Sequence, residues 1–260
     1  MNKLFLFMMT TFLLSMPVLA DAGSQDETFT VNSVSFKMVA VEGGTFMMGN
    51  DEGTNSQRPA HEVTLTGYSI GETEVTQELW LAVMGYNPSI FGSTNPIDLQ
   101  RPVENVTWEM CQEFITMLNQ LTGKAFRLPT EAEWEFAARG GNLSQGFQHA
   151  GSDDIEQVAW YKGNAPSYDD RGYGTQLVKG KAPNELGLYD MSGNVAEWCQ
   201  DWYGAYGTDA VTDPTGPETG QKKVLRGGDV TQAASVCYVA SRMGFDLRTA
   251  FFRFGFRLAL

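Results

Sequence analysis

Between Gly141 and Gly228 the chain carries no sustained hydrophobic period, neither the alternation of a strand nor the 3.6-residue repeat of a helix. The stretch is dense in Gly, Asn, Asp and aromatic residues. Long unpatterned connections are uncommon in compact domains unless they are functional or hold an ion. The sequence therefore predicts long, packed loops here, with regular elements on either side and no internal repeat.

The first residues describe an export signal. Lys3 precedes an apolar run from Leu4 to Leu14, and Val18-Leu19-Ala20 stands before Asp21. A cationic start, a short apolar core and small residues at the cut site predict a signal peptide over 1–20, cleaved after Ala20. That run is too short to span a bilayer, and no later segment is long and apolar enough to do so. A secreted protein follows, destined for the periplasm, the envelope surface or the medium. Residues 21–34 are polar at first and aperiodic, and are expected to form a flexible leader. Removing 20 of 260 residues leaves about 240, enough for one domain over 35–260. Asp and Glu number 31 against 18 Lys and Arg, a net charge of -13 that argues against nucleic acid as a partner and is compatible with divalent cations. Cys111, Cys199 and Cys237 are too few for a disulfide framework.

Start and stop signals predict three helices. Thr76 caps the first, which carries Leu79, Trp80 and Val83 and stops at Gly85; Thr107 opens the second, whose stripe of Trp108, Cys111, Ile115 and Leu118 ends at Gly123. Thr130 with Glu133 makes a capping box for the third, closed by Gly140-Gly141. Cys111 reads as packing, because a buried free Cys behaves as a small hydrophobe. Met38–Val41 and Thr45–Met48 read as two strands joined by a Gly turn, His61–Ile70 as another, and Phe254–Leu260 as a terminal one. His61 and His149 are the only histidines, and spacing supports no Ser-His-Asp arrangement.

Six segments then carry a resemblance: MVAVEGGTFMMG (38–49), RPVENVTW (101–108), RLPTEAEWEFAARGG (127–141), NELGLYDMSGNVAEWCQDWY (184–203), VLRGG (224–228) and GFRLA (255–259). In that order they resemble the formylglycine-generating-enzyme family, also called sulfatase-modifying factors. The resemblance implies an α+β, C-type-lectin-like fold with little regular secondary structure and long ordered loops.

It also implies a chemistry: oxidation of a substrate cysteine by molecular oxygen at a copper(I) ion held by two thiolates. The family places its cysteines four and nine residues after the Gly-Gly of RGG, which here are Gln232 and Cys237. A glutamine amide is a hard, neutral donor that does not hold copper(I) as a thiolate does. Cys237 would be catalytic, and copper a cofactor, only if this chain were an oxidase. The resemblance further implies a calcium site from the side chains of Asp190 and Glu197 and the carbonyls of Gly193 and Val195, hard oxygens that suit the ion. The same spacing also suits a tight Gly193-Asn194 turn with Glu197 paired to an arginine such as Arg226 or Arg257.

The final stretch, from the RGG word to the end, resembles the variable proteins of diversity-generating retroelements, which vary loop residues on this same lectin-like frame. The corresponding positions are Thr231, Gln232, Ser235, Val236, Tyr238, Ser241, Met243, Gly244 and Phe245. Gln232 and Met243 lie outside what adenine-directed change of Asn codons produces. Two functional expectations stand: a secreted non-oxidase binding a protein, peptide or glycan through the 229–250 face, or a formylglycine-generating oxidase acting through Cys237.

Overall fold

The computed structural model describes residues 25–92, 97–169 and 172–260, so the expected signal peptide lies outside the described residues. The strands in the first part of the chain are β1 (Glu27–Val31), β2 (Val34–Val41), β3 (Gly44–Met48), β4 (His61–Leu65) and β5 (Tyr68–Gly71). The flexible leader expected over 21–34 is corrected from Glu27 onward. β1 pairs antiparallel with β2, Glu27 opposite Met38 through Val31 opposite Val34. Asn32 and Ser33 turn the hairpin with positive φ, 47° and 70°, the hand of turn that matches strand twist. Only Phe29 and Val31 of β1 face inward, so its composition resembles that of a solvated tail.

β2 and β3 follow one another yet enter different sheets. β2 lies between β1 and β5, whereas β3 pairs with β4. At Gly43, between them, a Cβ would stand 2.6 Å from the Leu65 carbonyl oxygen, so the close crossing needs glycine. The strand expected over His61–Ile70 is two strands, broken at Thr66-Gly67.

The helices begin and end at their caps. α1 (Gln77–Met84) starts at Thr76, whose side chain accepts the Leu79 N–H, and stops at Gly85 with φ 77°. α2 (Trp108–Thr122) runs from Thr107 to Gly123. α3 (Glu131–Ala138) has the full Thr130–Glu133 capping box. Each such N-cap is worth about 1 kcal/mol.

Beyond α3 come the short α4 (Ile155–Val158), β6 (Ser167–Asp169), β7 (Gly172–Tyr173), β8 (Ala196–Trp202), β9 (Val211–Thr212), β10 (Lys223–Arg226), β11 (Arg242–Phe245) and β12 (Phe254–Gly255). β9 joins β3 and β4, and β6 pairs with β7. A four-stranded sheet in the order β11-β10-β8-β12 forms the centre. It was not legible as strand, for a physical reason: both faces are covered. Trp198 and Leu225 pack into one apolar cluster with Trp80, Phe114 and Phe256, while Cys199 and Val224 pack into the other with Trp134 and Met191. A strand buried on both faces has no polar side to alternate with. The terminal strand is shorter than expected. After β12 the chain makes only single bridges, Ala259 with Ile70 and with Arg127.

Candidate ligand-binding site

Two arginines fasten the segment after β10. Arg226, the arginine of RGG, is fully buried. It ion-pairs with Glu135 of α3 and donates to the carbonyls of Ser241 (2.6 Å) and Val239 (3.0 Å). Arg242 at the start of β11 grips Glu131 with two bonds of 2.7 and 2.6 Å. Burial raises the cost of charging Arg226, but the groups around it, Glu135 foremost and then Tyr206 and Glu131, together outweigh that cost and its pKa ends above the ordinary value. Glu135 is held below the usual carboxylate range by Arg226 and Arg139, against the opposing effect of burial.

Between these anchors the chain turns tightly. Gly228 has φ 72°, and a Cβ there would lie 2.8 Å from the Cys237 sulfur, so a side chain is excluded. Gln232 donates its N–H to the Asp229 carbonyl (3.0 Å), a short turn over Ala234–Val236 follows, and the Cys237 carbonyl receives the Ser192 hydroxyl at 2.9 Å. His149 packs its ring 4.9 Å from Tyr238 and sits 3.2 Å from the same carbonyl.

The result is a cavity of about 780 Å3 whose walls include Gln232, Ser235, Val236, Tyr238, Ser241 and Met243. The opposite wall is the loop between β3 and β4, with Asn50, Glu52, Thr54, Ser56 and Gln57. That loop is fixed to β11 by Arg242, which donates to the Ser56 carbonyl at 3.1 Å. Sequence reasoning missed this wall. Its only signal was a polar run, DEGTNSQ, between two strands. Thr231 and Phe245, expected with the others, are placed elsewhere. Thr231 bonds Asp229 (2.5 Å) and accepts from Arg253 (2.9 Å), and Phe245 packs edge-on to Phe254 at 4.9 Å. Phe245 shares its face of β11 with Met243 but lies one residue pair farther along the strand, where it packs into the apolar cluster instead of lining the cavity. Gly244 packs against the Tyr203 ring.

The three cysteines are free and buried. Burial pushes the Cys237 thiol up to about 12, and the Asp229 carboxyl acts in the same direction. Cys111 and Cys199 are likewise pushed well up by burial. None carries the thiolate character that a nucleophile requires.

The segment 190–197 gathers a different set. Glu197, fully buried, receives Arg257 on both oxygens (2.6 and 2.7 Å) and the Trp134 indole at 2.7 Å. Asp190 accepts the Lys179 N–H at 2.8 Å, while its second oxygen and one oxygen of Glu74 are buried without a hydrogen-bond partner. Burial pushes Asp190 up to about 6 and Glu74 well above its ordinary range. The calcium set expected from Asp190, Gly193, Val195 and Glu197 fits only in part. Asp190 keeps an oxygen to offer, but the Glu197 carboxylate is already neutralised. Among the described residues no three of His, Cys, Asp and Glu form a metal-holding group.

Paired helices at the flanks, a central sheet buried on both faces and long loops held by buried arginines define a C-type-lectin-like α+β protein. The chain belongs to the family described as the sulfatase-modifying factor enzyme 1-like domain, whose model matches residues 25–260. Its structure is similar to that of Treponema denticola variable protein 1, with a TM-score of 0.79 at 36% identity, covering 90% of this chain and 98% of that one. In sequence it is 32% identical to the chaperone protein LppX of Paenibacillus barcinonensis, over 92% of this chain and 94% of that protein. It is 39% identical to the formylglycine-generating enzyme of Thermomonospora curvata over 61% of this chain, and the match spans about half, 52%, of that enzyme. Among the described residues no helix is long and apolar enough to cross a membrane.

Proposed function

We propose that this chain is an exported, ligand-binding member of its family, without the oxidase chemistry, and that its ligand is a protein, peptide or glycan held in the cavity walled by Gln232, Ser235, Val236, Tyr238, Ser241 and Met243. One observation carries the reading. Where copper(I) would need a second sulfur the cavity presents the Gln232 amide, and the remaining thiol, Cys237, is buried and protonated at neutral pH. The wall chemistry supports binding. Hydroxyls and amides offer adaptable hydrogen bonds, and Tyr238 and Met243 offer apolar contact. The structural likeness to a variable protein points the same way. The N-terminal apolar run supports export.

Two measurements test it. Purified protein incubated with copper(I), oxygen and a peptide containing Cys-x-Pro-x-Arg should leave the peptide mass unchanged; loss of mass at the cysteine would establish the oxidase instead. A ligand selected from glycan and peptide arrays should lose at least tenfold in affinity when Tyr238 becomes Ala. Unchanged affinity would remove the cavity from the binding face.

A further inference from the structure

A second cavity, about 510 Å3, shares only Arg242 with the first. Its walls carry three rings, Trp202, Tyr206 and His61, and its floor carries Asp201. Asp201 is 4% exposed, and one of its oxygens accepts the Glu131 N–H at 2.9 Å. Among the described residues it makes no ion pair. The cations nearby are already committed. Arg242 spends its donors on Glu131, the Ser56 carbonyl and the Gly204 carbonyl (2.7 Å), with its plane over Tyr206 at 4.0 Å. Lys223 is clamped between the rings of Trp108 and Trp202, at 4.3 and 3.8 Å, and donates to the Gln200 carbonyl.

The cavity therefore offers an anion no unpaired cation among the described residues that line it. Among those residues Arg242 is the one Lys or Arg and is paired with Glu131, while the buried Asp201 and the exposed Asp209 make no ion pair. Aromatic faces attract a cation as well as an apolar stem. We propose that this cavity is a second binding site that takes an organic cation, an ammonium or guanidinium on an apolar stem, with its head on Asp201 and its stem between Trp202 and Tyr206. Such a head could belong to a free amine or to a Lys or Arg side chain of a peptide.

Calorimetric titration of the full mature chain tests this with two matched pairs: benzylamine against benzyl alcohol for a free amine, and Nα-acetyl-arginine amide against its citrulline counterpart for a peptide side chain. At least one cation should bind tenfold or more tightly than its neutral partner, and which one does identifies the source. Asp201→Asn, which keeps an acceptor for the Glu131 N–H, should remove that preference. Gly207→Phe gives a variant independent of Asp201. Gly207 lines the cavity, a Cβ there meets nothing within 4 Å and its φ suits any residue, so a ring is accommodated at the cavity wall without backbone strain and binding should weaken at least tenfold. Tyr238→Ala, in the other cavity, should leave the affinity unchanged. Equal affinity for charged and neutral partners, or full binding by Asp201→Asn and Gly207→Phe, would overturn the proposal.

Discussion

The segment 190–197 and the segment 228–243 are both loops threaded over a buried arginine, but they are held by different atoms. In the first, the chain is tied through its side chains: Asp190 to the Lys179 N–H, Asn194 to Gln176 and Glu74, Glu197 to Arg257 and Trp134. In the second, side chains anchor only the ends, Asp229 and Thr231 to Arg253 and Arg242 to Glu131, and between them the main ties run to backbone carbonyls, those of Cys237, Val239 and Ser241. A loop held by its side chains cannot change them. A loop held by its carbonyls leaves several of its side chains free to vary while its path stays put, which is what a binding wall needs.

The comparison can be broken by measurement. Its largest test is Glu197→Ala, which strands the Arg257 charge in the core; a loss of about 3–5 kcal/mol in chemical denaturation is expected, and a loss below 1 would show that side-chain anchoring matters little. Next is pH. Burial, with help from Glu131, pushes Asp201 from 3.8 up to about 7. A carboxyl raised on folding stabilises fully below its unfolded value, and that contribution is lost as pH climbs from about 4 through about 7. The loss is at most about 4 kcal/mol, so Asp201→Asn should flatten the fall in stability between pH 5 and pH 8. A variant that falls as steeply as the parent would place the titration elsewhere. In the carbonyl-held loop the expected effects are small. Ser235→Ala and Gln232→Ala should each change stability by less than about 0.5 kcal/mol, as surface substitutions do, and a cost above 2 would erase the contrast between the two loops. Smallest of all should be calcium removal. With Glu197 satisfied by Arg257, chelation should move the melting temperature by no more than about 2 °C, whereas a shift above 10 °C would restore an ion to the first loop.

Much of this was legible in the sequence where the signal is local. Thr76, Thr107 and Thr130 announce helix starts because a cap needs only one hydroxyl and one N–H. The cavity residues from Gln232 to Met243 were visible through the resemblance of the final stretch to variable proteins, which supplies the register from the RGG word. The rest depends on partners distant in the chain. Nothing near Asn50–Gln57 says that it faces Tyr238, since Arg242 makes that connection from the far end of the chain. Strands β8 and β10 were hidden because apolar side chains on both faces erase the alternation that marks a strand. β1 was hidden for the opposite reason, its outer face being so polar that it resembles a tail.

The central sheet draws all four of its strands from residues 196–255, while the helices and the sheets that flank it come mostly from the first 140. The early part of the chain therefore holds Trp80, Phe114 and Trp134 ready for a surface that reaches it last. Folding of this kind is slow, because distant contacts must close before any is rewarded. Until then the ring-rich interior faces solvent, an interval in which aggregation competes with folding and a holding chaperone would have the most to offer.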